Sequence, residues 1–84
     1  MAQPKIAGTV TKEGRPLGGA YVRLIGPSGD FVSEQYTKDD GAFTFHVAPG
    51  AWTIEAKAAN SAEGRTVAEV SDGINVVALD LRPV

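Results

Sequence analysis

Cysteine is absent from this 84-residue sequence, and histidine, methionine and tryptophan each occur once. Without thiols the chain cannot build a disulfide framework, a zinc ribbon, an iron–sulfur cluster or a thiolate nucleophile. One imidazole, His46, is too few for a multi-histidine metal centre within one chain. A strong charge of either sign is lacking too. Eight basic residues are scattered singly among ten acidic ones, giving a net charge of −2 and a pI near 5.2. Such a surface offers no basic field to nucleic acid or to an anionic membrane. No apolar run approaches the roughly 18 residues of a membrane span, and the residues from Met1 to Ile6 lack the apolar stretch of a secretory signal. The expectation is a cytoplasmic protein that uses neither nucleic acid nor membrane as a partner.

Large straight-chain core formers are scarce as well. There are four leucines, against nineteen valines, isoleucines and threonines taken together. Branching at Cβ suits a pleated strand and restricts χ1 in a helix, so this ratio predicts an all-β chain. Ten glycines and five prolines supply the turns.

Residues 5–12 alternate, with Ile6, Gly8 and Val10 on one face and Ala7, Thr9 and Thr11 on the other. Period two is the pattern of a half-buried strand. Glu13, Gly14, Arg15 and Pro16 close it. Across residues 20–25 the arginine sets the facing: Arg23 is costly to bury unpaired, so Val22 and Leu24 point inward and Tyr21, Arg23 and Ile25 outward. Residues 26–30 form a turn. Residues 31–37 are mixed on both faces, as in an edge strand. Residues 38–41 end in Asp-Gly, the dipeptide of tight hairpins. Phe43, Phe45 and Val47 then face inward, with Thr44 and His46 outward. After Pro49-Gly50, Trp52, Ile54 and Ala56 face the core. Residues 58–64 fit a loop or a short helical turn. Residues 65–71 form a strand of weak register, because Val67 aligns with Glu69 and Ala68 with Val70. A second Asp-Gly at Asp72-Gly73 leads to the last strand, residues 74–81, with Val77, Leu79 and Leu81 inward. About seven short strands at this spacing predict one domain over residues 1–84, a two-layer antiparallel β-sandwich.

Four ordered blocks carry a family resemblance: Gly8-Thr9-Val10; Gly14 to Leu24; Asp40-Gly41-Ala42-Phe43-Thr44-Phe45; and Pro49-Gly50-Ala51-Trp52-Thr53-Ile54. Together they resemble the carboxypeptidase regulatory-like, or transthyretin-like (prealbumin-like), sandwich domains. The stretches Gly19 to Leu24 and Ala48 to Thr53 are similar to a small actinobacterial family of unknown function associated with thiosulfate sulfurtransferases. The resemblance implies an accessory module with a sulfurtransferase as its partner. Related hydroxyisourate hydrolases use several histidines and a Tyr-Arg-Gly-Ser terminus, whereas this chain has His46 alone and ends Leu81-Arg82-Pro83-Val84. Ring-cleaving dioxygenases of similar fold need two histidines at iron. No cofactor is therefore expected.

Tyr21, Arg23 and His46 form the candidate binding set, as outward residues of two strands that would meet if both lay in one sheet. Tyrosine and arginine are enriched at protein contacts. The competing reading is an ordinary polar outer face. His46 as a general base would need a nucleophile and an orienting carboxylate. Asp39 and Asp40 fit turn chemistry better than a calcium site, which takes about six to eight oxygens, and Trp52 fits the core better than a sugar platform. These residues favour a non-enzymatic module contacting a protein partner or a second copy of the chain. A carbohydrate-binding or extracellular sandwich, and a hydrolase assembled across an oligomer, are the alternatives.

Overall fold

The computed structural model describes residues 3–58 and 62–83. It is all-β. The strands are β1 (Lys5–Lys12), β2 (Arg15–Pro16), β3 (Tyr21–Ile25), β4 (Phe31–Tyr36), β5 (Ala42–His46), β6 (Gly50–Lys57), β7 (Ala62–Val70) and β8 (Ile74–Pro83). They follow the order β2-β1-β8-β7-β6-β3-β4, with β5 added to β1 on the same edge as β2. The sheet is curled into two layers, one of β5, β2, β1 and β8, the other of β7, β6, β3 and β4. The layers join where Ala62 and Glu63 pair with Pro83 and Arg82.

The sandwich architecture agrees with the strand pattern of the sequence, and two features refine it. An eighth strand, β2, pairs Arg15 and Pro16 with Lys12 and Thr11. Proline is tolerated there because β2 is an edge. The β1–β8 pair is parallel, with Lys5 opposite Ile74 and Lys12 opposite Leu81, so the sheet is mixed.

Ile6, Val10, Phe43, Phe45, Leu79 and Leu81 from one layer meet Val22, Leu24, Ile54, Ala56, Ala62 and Val70 from the other. The inward set is the one the alternation predicts for β1, β3, β5 and β8. Gly8 explains part of the Gly-x-Val block. It lies directly across from Phe43, and the place its Cβ would take is filled by the Phe43 ring. Trp52 is half-buried rather than fully enclosed. Its indole Nε1 donates to the carbonyl of Ala48 at 2.8 Å, while its ring packs against the core.

The Asp-Gly turn at residues 38–41 differs from the hairpin expected. The Lys38–Gly41 turn forms, with Gly41 N–H donating to Lys38 at 2.7 Å and Gly41 at φ 79°. It carries the chain from β4 in one layer to β5 in the other, so the strands it joins do not pair. Asp72-Gly73 joins β7 to β8, which splay into different layers next to the turn and pair only at their far ends, Ala62 and Glu63 with Pro83 and Arg82. The tight hairpin is at Glu13-Gly14, where both residues have positive φ, 54° and 78°, as a type I′ turn requires. In the stretch expected to be loop or helical turn, Ala62, Glu63 and Gly64 begin β7, and residues 59–61 lie outside the described residues, as do Met1 and Ala2.

Candidate functional site

The outer face of the β4-β3-β6-β7 layer collects aromatic and charged side chains. In a sheet, directly opposed residues share a face, so the registers define three rows. The first runs Tyr36, Tyr21, Lys57, Glu63. The second runs Glu34, Arg23, Glu55, Arg65, alternating in charge. The third runs Phe31, Ile25, Thr53, Val67.

The rows are tied together at β3. The Tyr21 and Tyr36 rings lie 5.5 Å apart between centroids, tilted by 46°. The Tyr21 hydroxyl donates a hydrogen bond to the Glu34 carboxylate. That bond favours the neutral phenol and raises the Tyr21 pKa above its ordinary 10.0; desolvation and the charge of Glu34 act in the same direction, and Arg23 opposes them. Arg23 places its guanidinium 5.3 Å from the centre of the Phe31 ring and 3.8 Å from Glu55 Oε1. Arg65 Nε reaches the other Glu55 oxygen at 3.8 Å. A hollow of about 460 Å³ opens between Arg23, Glu55, Lys57, Glu63 and Arg65.

Phe31, Val32, Tyr36 and Val67 are between 50 and 67% exposed on this layer. Aromatic residues and arginine are enriched at protein contacts generally. The surrounding ion pairs contribute little stability at such exposure.

Tyr21 and Arg23 stand where the sequence puts them, outward on β3. His46 does not join them: it is exposed on β5, in the opposite layer, directly across from Lys5. The hollow beside it, lined by Gln3, Pro4, His46, Val47 and Ala48, holds neither a carboxylate nor a hydroxyl side chain. Among the described residues no group of three or more His, Asp or Glu side chains is placed to hold a metal ion. Asp40 is spent on its turn, where Oδ1 accepts the Ala42 N–H at 3.0 Å.

Sequence reasoning left out Phe31, Glu34, Tyr36, Glu55 and Arg65. Glu55 and Arg65 follow once β6 and β7 are in register with β3. The β4 residues were hidden by an irregularity: the register shifts between Leu24 and Ile25, which brings Phe31 opposite Ile25 on the outer face.

Comparison with known proteins identifies a family and a shared fold. Residues 1–81 match the model of a family described as a protein of unknown function, DUF1416. The chain belongs to that family. A relative from Mycolicibacterium smegmatis, described as uncharacterized, is 38% identical over 68 residues, covering 81% of this chain and 76% of the relative. An uncharacterized protein of Mycobacterium tuberculosis is 37% identical over 68 residues, covering 81% of this chain and 68% of its own. Among solved structures, a DUF3823 family protein from Parabacteroides merdae superposes with a TM-score of 0.70 at 19% identity. That match covers 99% of this chain but 48% of the neighbour, so the chain spans about half of that protein. At this identity the likeness is one of fold.

Proposed function

We propose that this chain is a non-enzymatic binding module that engages a protein partner through the outer face of β4-β3-β6-β7, with Tyr21 and Arg23 at its centre. The observation that carries the reading is the arrangement around β3: Tyr21 against Tyr36, and Arg23 held between Phe31 and Glu55. Such a group presents large apolar area at low entropic cost, with a guanidinium already oriented. The ionic row sets register with a partner, and the aromatic and aliphatic rows supply the contact area. His46, in the other layer, is not part of this surface.

The resemblance to a small actinobacterial family associated with thiosulfate sulfurtransferases makes a cytosolic sulfurtransferase the first partner to test. Having no cysteine, this chain would act as an accessory and not as a sulfur carrier. The carbohydrate-binding alternative is less well supported, because Trp52 turns its ring to the core and its N–H to Ala48.

The test is a binding titration of the wild-type chain and of a Tyr21→Ala, Arg23→Ala double variant against the sulfurtransferase of the same cell, with sizing chromatography of each chain alone. A loss of roughly tenfold or more in affinity, about 1.4 kcal/mol, with unchanged melting supports the surface. A sizing shift confined to the wild type would make the partner a second copy. Equal binding by both chains would show that this face does not contact the partner.

A further inference from the structure

We propose that the cleft between β7 and β8 receives an extended, otherwise unstructured segment of a partner protein, recognised through its main chain and carrying small apolar side chains and a basic residue. This site adjoins the Tyr21 and Arg23 surface at Val67 but includes neither Tyr21 nor Arg23, and it rests on the unpaired edges of β7 and β8.

The two strands are neighbours closed at both ends and open in the middle. At one end Ala62 and Glu63 pair with Pro83 and Arg82. At the other the Ser71–Gly73 bend is fastened by Asn75. Its Oδ1 accepts the Ser71 N–H at 3.1 Å, and its Nδ2 donates to the carbonyls of Ser71, Gly73 and Lys5 at 2.9, 3.2 and 3.1 Å. Between these closures, residues 64–70 and 74–81 have no ladder partner on their facing edges among the described residues. The strands part because β7 is committed to β6 in one layer and β8 to β1 in the other. Leu79 and Leu81 fill the core at the fork, where Gly64 leaves room for the Leu81 side chain.

What remains is a cleft of about 320 Å³ walled by residues 66–69 and 75–78. Four residues of strand span about 13 Å at roughly 3.3 Å each. On each wall alternate residues turn N–H and C=O toward the gap. Unpaired edges of this kind are templates for another strand. Two other edges of the sheet are guarded. Proline sits in β2, and the β5 edge is occupied by the Gln35 side chain, which pairs with Thr44 N–H and C=O at 2.9 and 2.6 Å. No lysine or proline occurs from residue 64 to residue 81, and Val67 and Val76 stand 63 and 84% exposed at the rim.

Two facing walls fix the kind of occupant. A strand already paired in a fold, such as β4 of a second copy, has one edge to give and would satisfy one wall. A terminal or linker segment with both edges free satisfies both. Charge adds the basic residue: Glu69 lines the cleft, and the ion pairs among the described residues both involve Glu55, leaving Glu69 without a cation.

The test uses an acetylated, amidated seven-residue peptide alternating valine with lysine and threonine, titrated into the isotope-labelled chain. The expected result is saturable shifts of the amides in residues 64–70 and 74–81. Affinity should fall at least tenfold when the peptide is N-methylated at alternate residues, and also for the unmethylated peptide against the Glu69→Lys chain. The Tyr21→Ala, Arg23→Ala variant should bind the peptide as the wild type does, which separates this proposal from the preceding one. Equal binding of the N-methylated peptide, shifts confined to the Tyr21 face, self-association through β7 and β8 without peptide, or no saturation up to about 1 mM would each overturn it.

Discussion

The side-chain amide of Gln35 on β4 pairs with the main chain of Thr44 on β5 much as a neighbouring strand would. Its Oε1 accepts the Thr44 N–H at 2.9 Å and its Nε2 donates to the Thr44 carbonyl at 2.6 Å. One side chain thus links the edges of two layers that share no ladder at that side of the sandwich. Gln35→Ala should cost about 1–3 kcal/mol, since it leaves a partly buried donor and acceptor without partners. Urea unfolding measures the loss, and light scattering of the variant should reveal association through the uncovered β5 edge. Unchanged stability would mean water replaces the amide at no cost.

Gly8 and Phe43 make a second testable pair. Any side chain at position 8 enters the space of the Phe43 ring, which is 2% exposed and packed on Phe45 with centroids 5.8 Å apart. Gly8→Ala should therefore destabilise by about 1–3 kcal/mol through overpacking, although alanine suits a strand better than glycine does. Phe43→Leu in the same chain should recover part of the loss. Thermal unfolding of the single and double variants checks both.

Thr37 is a buried polar residue at 6% exposure, and its hydroxyl is used twice. It accepts from Ala20 N–H at 2.9 Å and donates to the Leu17 carbonyl at 2.7 Å. Thr37→Val keeps the shape and strands both groups, for an expected cost of about 2–4 kcal/mol from two unmet partners. Thr37→Ser should retain most of the stability. Equal unfolding midpoints for the valine and serine variants would contradict the role assigned to the hydroxyl.

The Tyr21 phenol titrates above its ordinary 10.0 because it donates to Glu34. Its folded value is raised above the unfolded one. The stabilisation is therefore fully present below pH of about 10 and is lost as pH rises through the folded value. Ultraviolet titration of tyrosinate should show a late component that Tyr21→Phe removes and Glu34→Gln moves earlier. Superimposable curves for the wild type and Glu34→Gln would contradict the hydrogen bond as its cause.

Much of the fold was legible because alternation is clean wherever a strand has one buried face. Ile6, Val10, Val22, Leu24, Phe43, Phe45, Leu79 and Leu81 all lie inside. Layer assignment was not legible. Asp40-Gly41 and Asp72-Gly73 carry the same local turn signal whether the chain folds back on its own layer or crosses to the other, since the dipeptide governs φ and not the next partner. The parallel β1–β8 pair joins residues some seventy positions apart, beyond any local pattern. Of the candidate site, Tyr21 and Arg23 were read from one charged residue on an alternating strand. The separation of His46 followed from the same missing information about layers. Phe31 and Tyr36 were obscured by the register shift at Leu24 and Ile25.

Protein binding by the outer face of β4-β3-β6-β7 is tested most directly by amide mapping of the labelled chain with the purified sulfurtransferase added. Shifts or broadening centred on Tyr21, Arg23, Glu34, Tyr36, Glu55 and Arg65, with His46 unmoved, are expected. Perturbation confined to His46 and the opposite layer, or a spectrum unchanged throughout the titration, would contradict it.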